Sequence, residues 1–172
     1  MSEIRLETER LVLRMWREQD FDTYAEMCAD PNVMRYIGGV LDRPNAWRHM
    51  AVLAGHWHLR GYGHWAVDEK ASGRLIGRIG FLNPEGWPGF ELGWTLSPAA
   101  RGKGYATEGA RRALEYAFTD LDKEHVISLI HPDNKPSIRV AERLGEKLEG
   151  STELLGHDVL IYGIDRAARQ RS

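Results

Sequence analysis

The sequence predicts a single mixed α/β domain over residues 1–172, built on a central, mainly antiparallel sheet flanked by helices. Three observations predict it. Short runs in which apolar and polar residues alternate, as half-covered strands do, are interleaved with runs whose apolar residues recur at three- and four-residue spacing, as on amphipathic helices. Turn signals join neighbouring strands, so pairing is largely between consecutive segments. Size is the third: 172 residues make one domain, and with 42% of them apolar the chain builds a core without staples.

The elements follow in order. Ile4, Leu6, Leu11 and Leu13 alternate with charged residues around Thr8 and Glu9, an opening strand or a bulged strand pair. Asp20 to Ala29 is helical, with Asp20 as N-cap and Pro31 just past the end. Pro44 to Leu59 is a second helix carrying Ala46, Met50, Leu53 and Trp57, and Gly61 and Gly63 end it. Trp65–Asp68 and Arg74–Phe81 form a hairpin about the turn at 71–73. A loop rich in proline and glycine, 84–89, leads to a strand in which Phe90, Leu92, Trp94 and Leu96 alternate with Glu91, Gly93 and Thr95. A helix with small residues on one side runs from Ala106 to Phe118, followed by a strand at 125–130 and a helix at 136–144 ended by Gly145. Residues 148–154 and 159–164 close the chain as a strand pair.

Charge and composition exclude several functions. The 23 basic and 25 acidic residues leave a net charge of −2, so no global positive field exists to hold nucleic acid or an anionic membrane. Glu3, Arg5, Glu7, Glu9 and Arg10 break up the first ten residues, which therefore cannot be the apolar core of a signal peptide. No window approaches the ~18 consecutive apolar residues of a membrane span. The single cysteine, Cys28, fits a reducing compartment, and a cytoplasmic location is expected. Of the seven histidines, His56, His58 and His64 lie closest together, but two-residue spacing on a helix turns the first two apart, and no metal site is expected.

The most informative stretch is Leu96 to Ala106, where a strand stops and Gly102 and Gly104 turn the chain into a helix. Such a turn aims free backbone N–H groups at one point, and the helix dipole adds partial positive charge there, so a phosphate or pyrophosphate is the natural ligand. Arg101 and Lys103 would add charge-assisted contacts. The spacing is wrong for a P-loop. A dinucleotide fingerprint from Gly102 would need glycine at 107, where Thr107 stands, after a strand buried on both faces. The plain alternative is that the two glycines only turn the chain.

Arg101-x-x-Gly104-x-Ala106, placed after strand-end Leu96 and Pro98, resembles the acetyl-CoA pyrophosphate loop of the GNAT superfamily of N-acetyltransferases. Asn134-x-x-Ser137-x-x-Val140-x-x-Arg143-x-Gly145 resembles that family's second motif. The opening Arg5–Arg14 and the tail Gly156–Tyr162 look like the Rim-type branch, which acetylates protein N-terminal amines among other substrates. Two departures stand out: Glu146 follows Gly145 where an aromatic is usual, and Ala141 replaces the tyrosine that protonates the departing thiolate in many relatives.

The resemblance implies a strand that bulges and splays from its neighbour, with the pantetheine arm of acetyl-CoA lying in the opening against backbone groups of Trp94 and Leu96. The Leu96 N–H would polarise the thioester carbonyl. It implies that Arg101, Gly102, Lys103, Gly104, Tyr105 and Ala106 hold the pyrophosphate and that Asn134 bonds the pantetheine amides, although an amide there also suits a helix N-cap. Glu91, on the less apolar face of its strand, is the expected general base, with a surface or ion-paired glutamate as the plain alternative. Ser137 is the candidate donor to the leaving sulfur, directly or through a water, where a simple cap is the alternative.

The expected function is acetyl transfer from acetyl-CoA to a primary amine by direct attack in a ternary complex, with no metal and no covalent enzyme intermediate. The alternative is a non-catalytic acyl-CoA-binding sensor. The acceptor would be a small amine or a peptide N-terminus. Segment 38–65 is expected to wall its pocket, with Trp47, Trp57, Trp65 and Trp87 on that side and only Asp42 acidic, which ranks polyamines and aminoglycosides below amino-acid derivatives. No nucleic acid or membrane partner is expected, and a homodimer stays open.

Overall fold

A computed structural model describes residues 4–169, so Glu3 and the two ends of the expected 1–172 span lie outside the described residues. One eight-stranded sheet organises them, in the order β1-β2-β3-β4-β5-β6-β8-β7. The strands are β1 (Leu6–Glu7), β2 (Leu11–Arg14), β3 (His64–Glu69), β4 (Arg74–Leu82), β5 (Glu91–Leu96), β6 (His125–Ile130), β7 (Lys147–Leu154) and β8 (His157–Asp165). The helices are α1 (Phe21–Ala29), α2 (Pro31–Met34), α3 (Arg43–Arg60), α4 (Tyr105–Thr119), α5 (Lys135–Leu144) and α6 (Arg166–Arg169). All neighbouring strands are antiparallel except β5 and β6, which run parallel.

The expected mixed, mainly antiparallel sheet is therefore what the chain forms, and its opening is a β1–β2 hairpin in which Leu6 faces Leu13. One face carries Leu11, Leu13, Trp65, Val67, Ile79, Phe81 and Leu92 into the main core, which α4 covers with Ala110, Ala113, Leu114 and Ala117. Gly109 lets α4 come close, because a Cβ there would stand 2.4 Å from the Ile79 side chain. On the other face, α1 and α3 form a second core from Tyr24, Ala25, Cys28, Ala46, Met50 and Leu53.

Two local expectations are corrected, and a third, Pro31 just past the end of α1, holds with an addition. Asp20 stands at the N-cap of α1 but its carboxylate does not cap it; buried, it accepts from both Nη atoms of Arg14 at 2.8 Å and from the Arg17 N–H. Pro31 does not merely follow a helix end. It starts α2, with Asp30 accepting from the Asn32 N–H at 2.7 Å as cap. The irregularity expected in the strand before the glycine turn falls elsewhere: β4 and β5 pair without a shift from Gly77↔Leu96 to Leu82↔Glu91, and the bulge lies between β3 and β4.

Candidate active site

The parallel pairing of β5 with β6 is confined to Glu91 and Ile127, so the two strands diverge from the first residue of β5 onward. The direction of the free edge follows from the ladder. Ser97 N–H bonds Ile76 O at 2.8 Å, toward β4, and by antiparallel alternation the backbone groups of Leu92, Trp94 and Leu96 point the other way, into the split. Two of those carbonyls have side-chain partners: Ser128 Oγ donates to Leu92 O at 2.8 Å, and Arg101 Nε to Leu96 O at 3.3 Å.

Beyond the strand, Pro98–Ala100 makes one 3-10 turn, and Gly102 (φ +74°) and Gly104 (φ +82°) bring the chain into α4. Both lie in the left-handed region that only glycine enters at little cost. Gly104 is the N-cap of α4 and no side chain caps it, so the first N–H groups of the helix open outward. The Arg10 guanidinium pins the turn by donating from Nη1 to Lys103 O at 2.9 Å. Glu108 in turn accepts from Thr8 Oγ, the Arg10 N–H and Arg10 Nε at 2.6–2.9 Å.

Split strand, glycine turn and helix end border one cleft of about 1190 Å³. It brings together Trp94, Leu96, Arg101, Gly102, Gly104, Tyr105, Ala106, Asn134 and Ser137. Asn134 is the N-cap of α5, accepting from the Ser137 N–H at 3.3 Å, and the Ser137 hydroxyl accepts from the Trp94 indole at 3.3 Å. Lys103 is not among the lining residues; its ammonium stands 3.9 Å from Glu69, the carboxylate that also accepts from the Tyr105 hydroxyl at 2.6 Å.

Glu91 does not line the cleft either. It sits at the root of the split, where its carboxylate accepts from the Trp87 indole at 2.5 Å and from the Leu129 N–H across on β6. Burial pushes its pKa up to about 7, against the lowering effect of the indole, of Arg78 and of the Leu129 N–H. A carboxylate poised there exchanges protons near neutrality.

The cleft draws its remaining wall from outside the segment expected beside the acceptor. Residues 38–65 contribute nothing to the lining; Asn32, Val33, Tyr36 and Ile37 do, because α3 is spent on packing against α1 while α2 and the turn after it reach over the end of β5. Trp57 and Trp65 are core, their indoles donating to His64 O and Ile4 O, and Trp47 is 55% exposed; of the four tryptophans only Trp87 meets a site residue. His56 has both ring nitrogens engaged by backbone, at Tyr62 O and the Asn83 N–H. Sequence reasoning gave no site role to Thr8, Arg10 or Tyr36: the first two lie in the opening stretch read only as a family resemblance, and Tyr36 in a segment with no motif of its own. Ala141, where relatives are expected to carry tyrosine, is fully buried against Ile130 and Tyr162.

Residues 10–147 match the family model described as an acetyltransferase (GNAT) domain, and the chain belongs to that family. It is 32% identical over 148 residues to the uncharacterized N-acetyltransferase YnaD of Bacillus subtilis, covering 86% of this chain and 85% of that one. Among solved structures, an acetyltransferase from Agrobacterium tumefaciens superposes with a TM-score of 0.88 at 34% identity, covering 96% of each chain. The ribosomal L7/L12 alpha-N-protein acetyltransferase RimL, in complex with coenzyme A, shares the fold at 18% identity, with a TM-score of 0.79 over 96% of this chain and 99% of that one.

Proposed function

We propose that residues 1–172 act as one acetyl-CoA-dependent N-acetyltransferase domain that acetylates a primary amine held on the Glu91 side of β5. The observation that carries this reading is the split between β5 and β6: an unpaired strand edge, leading to an uncapped helix N-terminus, with a proton-exchanging carboxylate at its root. The cleft residues fit acetyl-CoA, which supplies an activated acetyl group. The backbone edge at Trp94 and Leu96 receives an extended arm as an added strand would be received. The glycine turn and the first N–H groups of α4 bind the pyrophosphate, supported by Arg101. The free amide nitrogen of Asn134 is placed to bond the arm, because only its oxygen is spent on the cap.

In the transfer, Glu91 first takes a proton from the substrate ammonium, directly or through one water, and the neutral amine then bonds to the thioester carbonyl carbon, with the Leu96 N–H facing the oxygen on which charge develops. As the carbon–sulfur bond breaks, CoA leaves as a thiolate that accepts a hydrogen bond from Ser137, and the remaining extra proton on the nitrogen passes to the thiolate or to solvent. Cys28 has no covalent role in this scheme: burial raises its thiol pKa, which lowers its nucleophilicity. The single buried cysteine suits the cytoplasm, and the acceptors we rank first are amino-acid derivatives and peptide N-termini. Release of CoA thiol against a panel of amines tests the reading. Turnover with at least one amine supports catalysis, whereas acetyl-CoA binding with no turnover favours a sensor.

A further inference from the structure

The face of the sheet that carries Glu91 holds a polar cluster which the transfer scheme does not use. Two arginines are buried on the strands there, and they differ in one respect. Arg14 is neutralised by two carboxylates, Asp20 at 2.8 Å and Asp68 at 2.6 Å. Arg78 on β4, 9% exposed, has no carboxylate within 4.0 Å among the described residues; its Nη1 meets His64 Nδ1 at 3.0 Å, and Tyr24 is its other hydrogen-bond neighbour. Tyr24 in turn bonds His49 Nδ1 at 2.7 Å, and burial holds the His49 pKa down to about 4, so that ring is neutral. Among the described residues no carboxylate pairs directly with Arg78; Glu91, whose pKa it lowers, feels its charge from a distance and offsets it only when ionised.

His64 points to the same deficit. Guanidinium is only a donor, so His64 Nδ1 must accept and the ring proton lies on Nε2. That Nε2–H is buried with no partner, on a residue 1% exposed. It is aimed over Gly93: a Cβ at that position would stand 3.3 Å from His64 Nε2 and 3.9 Å from Glu91 Oε1. Next to it on the same face a fissure lined by Tyr24, Cys28, Val33, Ile37, Arg78 and Thr95 reaches Arg78, closed in this structure to anything as large as a water. Val33, Ile37 and Thr95 line both the fissure and the cleft, so a ligand reaching Arg78 from the cleft has to move Val33 and Ile37 aside.

Resting on the acetyltransferase reading, we propose that Arg78 and the His64 Nε2–H form an anion site for the carboxylate of a free amino acid, holding its amine between Glu91 and the cleft. An amino acid supplies the missing negative charge and the nucleophilic nitrogen in one small molecule. A polyamine would set ammonium against guanidinium, and a peptide N-terminus offers a neutral amide where the charge is wanted.

The test pairs free L-amino acids with their C-terminal amides as acceptors, reading CoA thiol release with acetyl-CoA. Calorimetry of the N-acetyl amino acids and their amides, on protein saturated with CoA, reads binding without turnover. The expected result is a preference of about a hundredfold in kcat/KM for the acid, erased by Arg78→Gln and partly kept by Arg78→Lys, with the same order in calorimetry. Equal use of acid and amide by the unmodified protein overturns the proposal without any variant, as does a preference that survives Arg78→Gln. If no amine is acetylated, the transferase reading fails, and calorimetry still decides the anion site: carboxylate binding lost in Arg78→Gln upholds it, and no carboxylate binding removes it.

Discussion

Strand β5 separates two regions built on opposite principles. On the cleft side, what lies open is largely main chain: a strand edge without a strand partner beyond Glu91, two left-handed glycines and a helix end without a side-chain cap. On the α1–α3 side, what faces the strand is side chain: Glu91, Arg78, His64, Tyr24 and His49, drawn from β5, β4, β3, α1 and α3. The first region is open and the second is closed around buried polar groups. The difference teaches that the cleft is shaped by backbone conformation, which needs glycine at two positions and little else of the side chains, while the other face is shaped by charges that only this chain places.

The sharpest way to break this comparison is Glu91→Gln. Because the folded pKa is raised to about 7, the carboxylate form that accepts protons grows as pH passes through that value, and kcat/KM should climb with it. The variant should be about a thousandfold slower at neutral pH and recover part of the loss at high pH, where the free amine needs no base. An unchanged pH–rate profile would take Glu91 out of the mechanism.

Next comes Glu146, a buried carboxyl on the opposite face, where Ser128 Oγ lies 3.0 Å from Oε1 and Oε2 has no partner. Burial raises its pKa to about 8 from 4.5. An acid with a raised folded pKa contributes stability below its unfolded value and loses it as pH rises through the folded one. Unfolding by denaturant should show wild type losing on the order of 3 kcal/mol through this group between pH 5 and pH 9, a loss absent in Glu146→Gln. If Glu146→Gln instead slows transfer while stability stays flat, this carboxyl belongs with Glu91 and the two faces are not separate.

On the cleft side, Gly104→Val should abolish the rise in melting temperature given by acetyl-CoA, which at a hundredfold excess over Kd corresponds to about 2.7 kcal/mol. Valine cannot easily adopt φ +82° and would crowd the approach to the turn. Circular dichroism should show the variant folded, and ATP and NAD should shift wild type far less. Stabilisation by NAD in preference to acetyl-CoA would mean that the turn serves another ligand. Ala141→Tyr, at a fully buried site, should cost about 1–3 kcal/mol by overpacking and give no gain in rate. The smallest effect expected is with Ser137→Ala, about tenfold in turnover with acetyl-CoA affinity intact, since a thiolate leaves with little help. A thousandfold loss there would make the hydroxyl a full acid catalyst, and the cleft could no longer be described as main chain alone.

The two regions were unequally legible. Gly102, Gly104, Asn134 and the alternation through Glu91–Leu96 read directly, because each expresses a local rule about φ, capping or strand period. Glu91 could be chosen by its face, but the sequence does not tell that Trp87 and the Leu129 N–H would hold it. Asp30-Pro31 both closes α1 and opens α2, and the sequence reads only as the first, since a proline past a helix end and a proline at N1 look alike. In segment 38–65 Trp57 and Trp65 are core and Trp47 is exposed, a division the sequence does not carry, because a large amphipathic residue has the same composition signal in a core as in a pocket wall.

By itself, then, the sequence determined the order of elements, the mixed sheet and the glycine turn, all of which depend on dihedral preference and periodicity within a few residues. Only the tertiary structure decided that β5 and β6 part after Glu91, that the Thr8–Arg10 hairpin clamps the turn through Glu108, and that Arg78 is left without the carboxylates that Arg14 receives. Those outcomes join residues from 6 to 100 positions apart. Burial, which sets the energy of every charge among them, belongs to the packed chain and has no counterpart in any short stretch of it.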